Sequence, residues 1–196
     1  MTAGLFVSLI YNAALLLAFG ALYDVAAEKL TPKTRFREVV AGIVIGLIGA
    51  AIMANPVPFR NGIVFDTRSI LLGISGLFFG LVPTAGAAAV TALVRIQRGG
   101  VGALTGVSVI VATAGAGLLW RYWRRRRAAT TWSWSELYAF GVTVHLLMLL
   151  CMFLLPRREA WAVLGGIALP VMVVYPLATL LDRKSTRLNS SHTVLS

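Results

Sequence analysis

Two arginines, Arg68 and Arg95, bracket an otherwise uncharged run, RSILLGISGLFFGLVPTAGAAAVTALVR, and they are the residues of this chain best suited to binding chemistry. An arginine is always charged and presents a planar fork of donors that matches a carboxylate. At full membrane depth it costs at least about 2.5–3.5 kcal/mol, so a guanidinium beside apolar sequence sits at an edge or has a partner. Hydroxyls on Thr67, Ser69, Thr91 and Thr105 lie in the same segments and can add hydrogen bonds. The pair is therefore expected to clamp a small organic anion. The structural alternative is that Arg68 pairs with Asp66 or reaches lipid headgroups, and that Arg95 and Arg98 do likewise.

Other chemistry is sparse. His145 falls inside an apolar stretch, where the expectation is a neutral ring bonded to a neighbouring helix, with a functional role as the alternative. Cys151 is the only cysteine, which excludes an intrachain disulfide and a cysteine-built metal site. The segment GGVGALTG, residues 99–106, is superficially like a phosphate loop. No strand precedes it and no acidic residue follows at the required spacing, so Gly99 and Gly100 read as a flexible turn into a helix. Gly102 and Gly106 then form a small-residue face for helix packing. No zinc spacing, nucleophile elbow or Walker loop is present, so neither catalysis, cofactor nor metal is expected of this chain.

The elements that must position the arginines are set by composition. Hydrophobic residues make up 58% of the chain and charged residues 13%, and the mean hydropathy is +0.83, the profile of an all-α integral membrane protein. The net charge of +11 does not point to nucleic acid, because the cations lie in short loops between apolar stretches. Residues of about 4–23, 39–55, 103–120, 137–155 and 160–181 are apolar enough, at about 20 residues per span, to cross the membrane as helices. The first lacks a basic leader and reads as an anchor rather than a cleaved signal.

The run between the arginines admits two topologies. A straight helix from Arg68 to Arg95 is about 40 Å long and gives six crossings. A break near Gly80 to Pro83 gives two halves of about 20 Å each and a re-entrant hairpin that returns to the face it left. Pro83 has no amide hydrogen and disfavours helix at Val82, while Gly73, Gly76, Gly80, Gly86 and Ala87 to Ala89 let the halves pack closely. Lys29, Lys33, Arg35 and Arg37 in one loop and RYWRRRR in another should both be cytoplasmic. Only five crossings plus the hairpin put them on one side, so a five-helix bundle with a hairpin is expected and six helices is the alternative. Trp120, Tyr122, Trp123, Trp132, Trp134 and Tyr138 are expected to form an interfacial belt, and the arginine run 124–127 a topology anchor that also meets anionic lipid.

After Leu181 the sequence turns polar within one residue. DRKSTRLNSSH reads like the in-frame translation of a sequencing adapter. Residues 182–196 are expected to be a non-native tail, and residues 1–181 a transmembrane sensory domain whose native output domain is missing.

The stretches LIYNAALLLAFGALYD, FDTRSILLGISGLFFGLVPT, RIQRGGVGALTGVSVI and ALPVMVVYPLATLL resemble the LytS-type five-transmembrane receptor region of bacterial sensor proteins. The resemblance covers nearly all of residues 4–181. It implies a sensory input region in the plasma membrane, acting as a homodimer and joined at a cytoplasmic carboxyl terminus to a histidine kinase, PAS or diguanylate cyclase domain. Its Asn-x-Arg signature falls on Asp66, Thr67 and Arg68, with aspartate in place of asparagine. Its second arginine and glycine pair fall on Arg95, Gly99 and Gly100. Members that sense small carboxylates place a cysteine and a serine where this chain has Gly106 and Val109. The resemblance thus carries a ligand class, not a ligand identity. The competing reading is a substrate-binding subunit of a small-molecule transporter, built on broken helices.

Overall fold

The computed structural model describes residues 35–54, 57–60, 63–65, 68–127, 133–158, 160–161 and 164–165. The expected span at 4–23, the bulk of the one at 160–181, the site candidates Asp66 and Thr67, and the polar tail lie outside the described residues. The elements are α1 (Arg35–Ala54), β1 (Val57–Arg60), β2 (Ile63–Phe65), α2 (Arg68–Phe78), α3 (Leu81–Arg98), α4 (Ala103–Arg126) and α5 (Trp134–Cys151), then a 3-10 turn, Met152–Leu154. Among the described residues three stretches are long and apolar enough to cross a membrane: Arg35–Ala54, Ala103–Arg126 and Ser135–Leu154. Their outward surfaces are apolar, with Phe36, Ile43, Leu47, Val111, Leu119 and Leu150 all exposed, as a lipid-facing surface requires.

The run between Arg68 and Arg95 is broken. α2 ends at Phe78, and Gly80 takes φ 95°, a left-handed conformation that glycine adopts without a Cβ clash. Pro83 falls in the first turn of α3, where its missing N–H has no intrahelical acceptor to lose. Within the run the helical parts are unequal, 11 residues over Arg68–Phe78 and 15 over Leu81–Arg95, or about 16 and 22 Å, against the about 20 Å expected of each. The break lies at Phe79–Gly80 because that glycine allows the reversal; Pro83 is merely tolerated in the first turn after it. Ser75 Oγ and Thr84 Oγ1, nine residues apart, lie 3.1 Å from each other, which a continuous helix forbids.

Backbone approach at glycines fixes the helix directions. α1 and α3 run in step: Gly42 abuts Pro83 and Gly86, Gly46 abuts Val90, and Gly49 abuts Thr91. α2 and α4 also run in step: Gly73 and Gly76 cross α4 at Ala114 to Leu118, and the end of α2, at the Leu77 and Phe78 carbonyls, meets Arg121 further along α4. α3 and α4 are antiparallel, since Arg95 meets Gly106 at one end and Gly80 meets Arg121 at the other. The expected role of the small residues is thereby corrected: Gly73 and Gly76 pack α2 on α4, and Gly86 packs α3 on α1. The two halves of the hairpin touch each other less than they touch these outer neighbours. Leu71, Leu72, Ile45, Ile52, Ala87, Ile110 and Ala114 fill the space among the four helices. Leu77, Leu137, Phe140 and Val144 join α2 to α5.

One end of the bundle therefore collects the carboxyl end of α1, the amino end of α2 and the α3–α4 turn. The opposite end collects Arg35, the hairpin tip and the arginine run. The sequence reading ended its helix near residue 120, but α4 continues to Arg126, because arginine is a good helix former and the run stacks on the preceding turn. A short antiparallel ribbon, which sequence reading did not foresee, pairs Val57 with Phe65 and Arg60 with Ile63 just before α2. The sequence between its strands is Asn-Gly, the pair favoured in two-residue hairpin loops.

Candidate functional site at the hairpin mouth

The geometry that matters is at the end where the hairpin begins and finishes. Arg68, the first residue of α2, is 5% exposed, and Arg95, in the last turn of α3, is 4% exposed. Arg68 Nη1 donates to Met53 Sδ at 2.6 Å. Arg98, one turn after Arg95, donates from Nη1 to the Met53 carbonyl, one of the orphan carbonyls at the end of α1. Met53 thus ties the two limbs of the hairpin to α1 at one level. Sequence reading missed Met53, and no local signal marks it, because its partners lie 15 and 45 residues away.

Arg95 is held from two sides. Its Nη1 donates to the Gly99 carbonyl at 2.8 Å, and Gly99 and Gly100 turn the chain with φ of 61° and 85°. Its side chain lies across Gly106, where a Cβ would sit 2.5 Å from Nε and 3.0 Å from Cδ and Cγ. Gly106 therefore makes room for an arginine rather than for a helix backbone, which corrects its expected role. Gly102 precedes α4 as its N-cap.

Of the hydroxyls proposed for the site, Thr91 is occupied by its own helix, donating to Ala87 O at 2.7 Å and Ala88 O at 3.1 Å. Ser69 is buried beside Arg68. Thr105 is 3% exposed, and its Oγ1 has no hydrogen-bond partner among the described residues. A buried hydroxyl in that state loses its hydration without replacement, and it stands next to the Gly106 slot that holds Arg95. The Nε atoms of Arg68 and Arg95 are buried as well. Two guanidinium groups and a hydroxyl, brought to one mouth by α2, α3 and α4, suit a small anion with several acceptor oxygens. Among the described residues no group of His, Cys, Asp and Glu could hold a metal ion.

The opposite end carries a polar knot. Arg124, 6% exposed, pairs with Glu136 at the start of α5, and Trp120 Nε1 donates to Glu136 Oε1 at 3.2 Å. Ser133 caps α5 by accepting from the Glu136 amide at 3.1 Å. Arg124 is thereby an internal tie rather than a headgroup anchor, and Trp120 turns inward onto Phe140 rather than joining the belt. At the hairpin tip Arg121 donates to the carbonyls of Leu77, at 3.1 Å, and Phe78, supplying donors that the end of α2 lacks. His145 is buried and its Nδ1 donates to Gly141 O at 2.6 Å. That bond lies within its own helix, not across to a neighbour.

The sequence model of the family described as 5TMR of 5TMR-LYT matches residues 21–182. No curated protein and no solved structure matches the chain.

Proposed function

The chain belongs to the 5TM-5TMR_LYT family, a family of membrane sensory regions of signalling proteins, and from that premise we propose that it binds a small organic anion at the hairpin mouth. Arg68 and Arg95 are the clamp, and Thr105 adds a hydrogen bond. The observation that carries this reading is the burial of two arginines from opposite ends of one hairpin at a single end of the bundle. A guanidinium carries five N–H donors in a planar fork, so a carboxylate that accepts from both arginines adds to the contacts already holding them and joins the two limbs of the hairpin.

In this account the chain crosses the plasma membrane five times, with α2 and α3 as a re-entrant hairpin and the mouth outside. Directions within the bundle support it. The start of α1, with Arg35 and Arg37, and the end of α4, with Arg124 to Arg127, share one end, as two cytoplasmic basic segments should. The ligand favours one packing of the hairpin against α1 and α4. The last span passes that difference to a cytoplasmic output domain, a histidine kinase or diguanylate cyclase, in a homodimer. The region itself has no catalysis.

The test is thermal unfolding of the purified chain in detergent with a panel of acetate, lactate, succinate and citrate. At least one raises the midpoint of the native protein, and Arg68→Ala and Arg95→Ala abolish the rise. Arg68→Lys and Arg95→Lys keep the charge without the fork and weaken it. An equal rise in all variants overturns the assignment.

A further inference from the structure

The arginine run at the end of α4 contains a feature that the ligand reading does not use. Arg126 Cζ lies 4.6 Å over the Tyr122 ring, and Arg127 Cζ lies 3.8 Å over the Trp123 ring. Both rings are exposed, at 53% and 42%, so they face out of the bundle. Helical side chains point back toward the amino terminus. Stacking on a ring four residues earlier holds each guanidinium about one turn, or about 5.4 Å, deeper along α4 than its own Cα. Exposed tyrosine and tryptophan at the end of an apolar helix settle at headgroup level. The two charges are therefore fixed at the depth of the lipid phosphates rather than extended into water. Arg124 takes no part, being paired with Glu136.

We infer that Arg126 and Arg127, held on Tyr122 and Trp123, form a binding site for the phosphodiester of an anionic phospholipid. A guanidinium stacked by its face on a ring keeps its edge N–H donors free to form a fork to phosphate oxygens. The aromatic rings also offer apolar surface to the adjoining acyl chains. The site is independent of the ligand at the opposite end of the bundle.

Native mass spectrometry of the full chain, released from micelles containing phosphatidylglycerol and phosphatidylcholine, tests it. The protein retains phosphatidylglycerol preferentially. Arg126→Gln/Arg127→Gln lowers its apparent affinity roughly tenfold or more, and Tyr122→Leu/Trp123→Leu, with every charge retained, lowers it too. Arg35→Gln/Arg125→Gln removes the same charge from exposed arginines of the same end and leaves retention unchanged. Equal loss in both arginine pairs, no loss in the ring variant, or displacement of the lipid by millimolar inorganic phosphate each overturns the proposal.

Discussion

An added methyl group at Gly117 measures how closely the hairpin is seated. A Cβ there would lie 2.1 Å from the Gly73 carbonyl oxygen and 3.0 Å from Gly76 Cα. An ordinary carbon–oxygen contact needs about 3.3 Å, so Gly117→Ala forces α2 and α4 apart by about 1 Å. The obstruction is backbone, which no rotamer change relieves. Overpacking of this kind costs about 1–3 kcal/mol. Gly115, two residues earlier in the same helix, has nothing within 4 Å of its Cβ position. Gly115→Ala adds no clash and gains up to about 1 kcal/mol of helix propensity. Because Gly117→Ala gains the same propensity, the two alanine variants should differ by the overpacking cost alone, about 1–3 kcal/mol, which at about 2–4 °C per kcal/mol separates their thermal midpoints by at least about 2 °C. Coincident midpoints would refute the packing of α2 on α4, and with it the hairpin.

Two further substitutions address the opposite end. Arg121→Leu strips the donors from the Leu77 and Phe78 carbonyls and should destabilise by about 1.5–3 kcal/mol, the range for hydrogen bonds to charged groups; Arg121→Lys should recover part of this in the same thermal assay. Glu136→Gln leaves a buried Arg124 without its anionic partner and should destabilise by about 2–3 kcal/mol, below the range for fully buried pairs because Glu136 is partly exposed. Adding Arg124→Met should restore much of the loss, and a double-mutant cycle measures the coupling.

The features legible in the sequence are the local ones. Gly80 and the arginines bounding an uncharged run marked the broken helix, because a positive φ and a long charge-free stretch are both written in residue types. The paired basic segments marked the direction of α1 and α4. The unequal halves were not legible, since proline draws attention to 83 while the conformation that reverses the chain is needed at 80. The partners of Arg68, Arg98, Arg121 and Arg124 were hidden for a different reason: each is a contact across 12 to 45 residues, and a single sequence carries no trace of such pairs. Glu136 offered a faint signal, as one of only 7 acidic residues and the one nearest the arginine run 124–127. Gly106 was legible as small but not as a slot for an arginine, which depends on how α3 meets α4.

The central claim is that the hairpin returns the chain to the face it left, so that Arg68 and Arg95 share one outer mouth. With Cys151 replaced by alanine, single cysteines at Asn61, Gly100 and Arg127 can be probed in intact cells with a membrane-impermeant maleimide. A re-entrant hairpin predicts labelling at 61 and 100 from outside, and at 127 only after permeabilisation. Labelling of 61 and 100 from opposite faces would mean that the segment between the arginines crosses once, and the shared mouth would not exist.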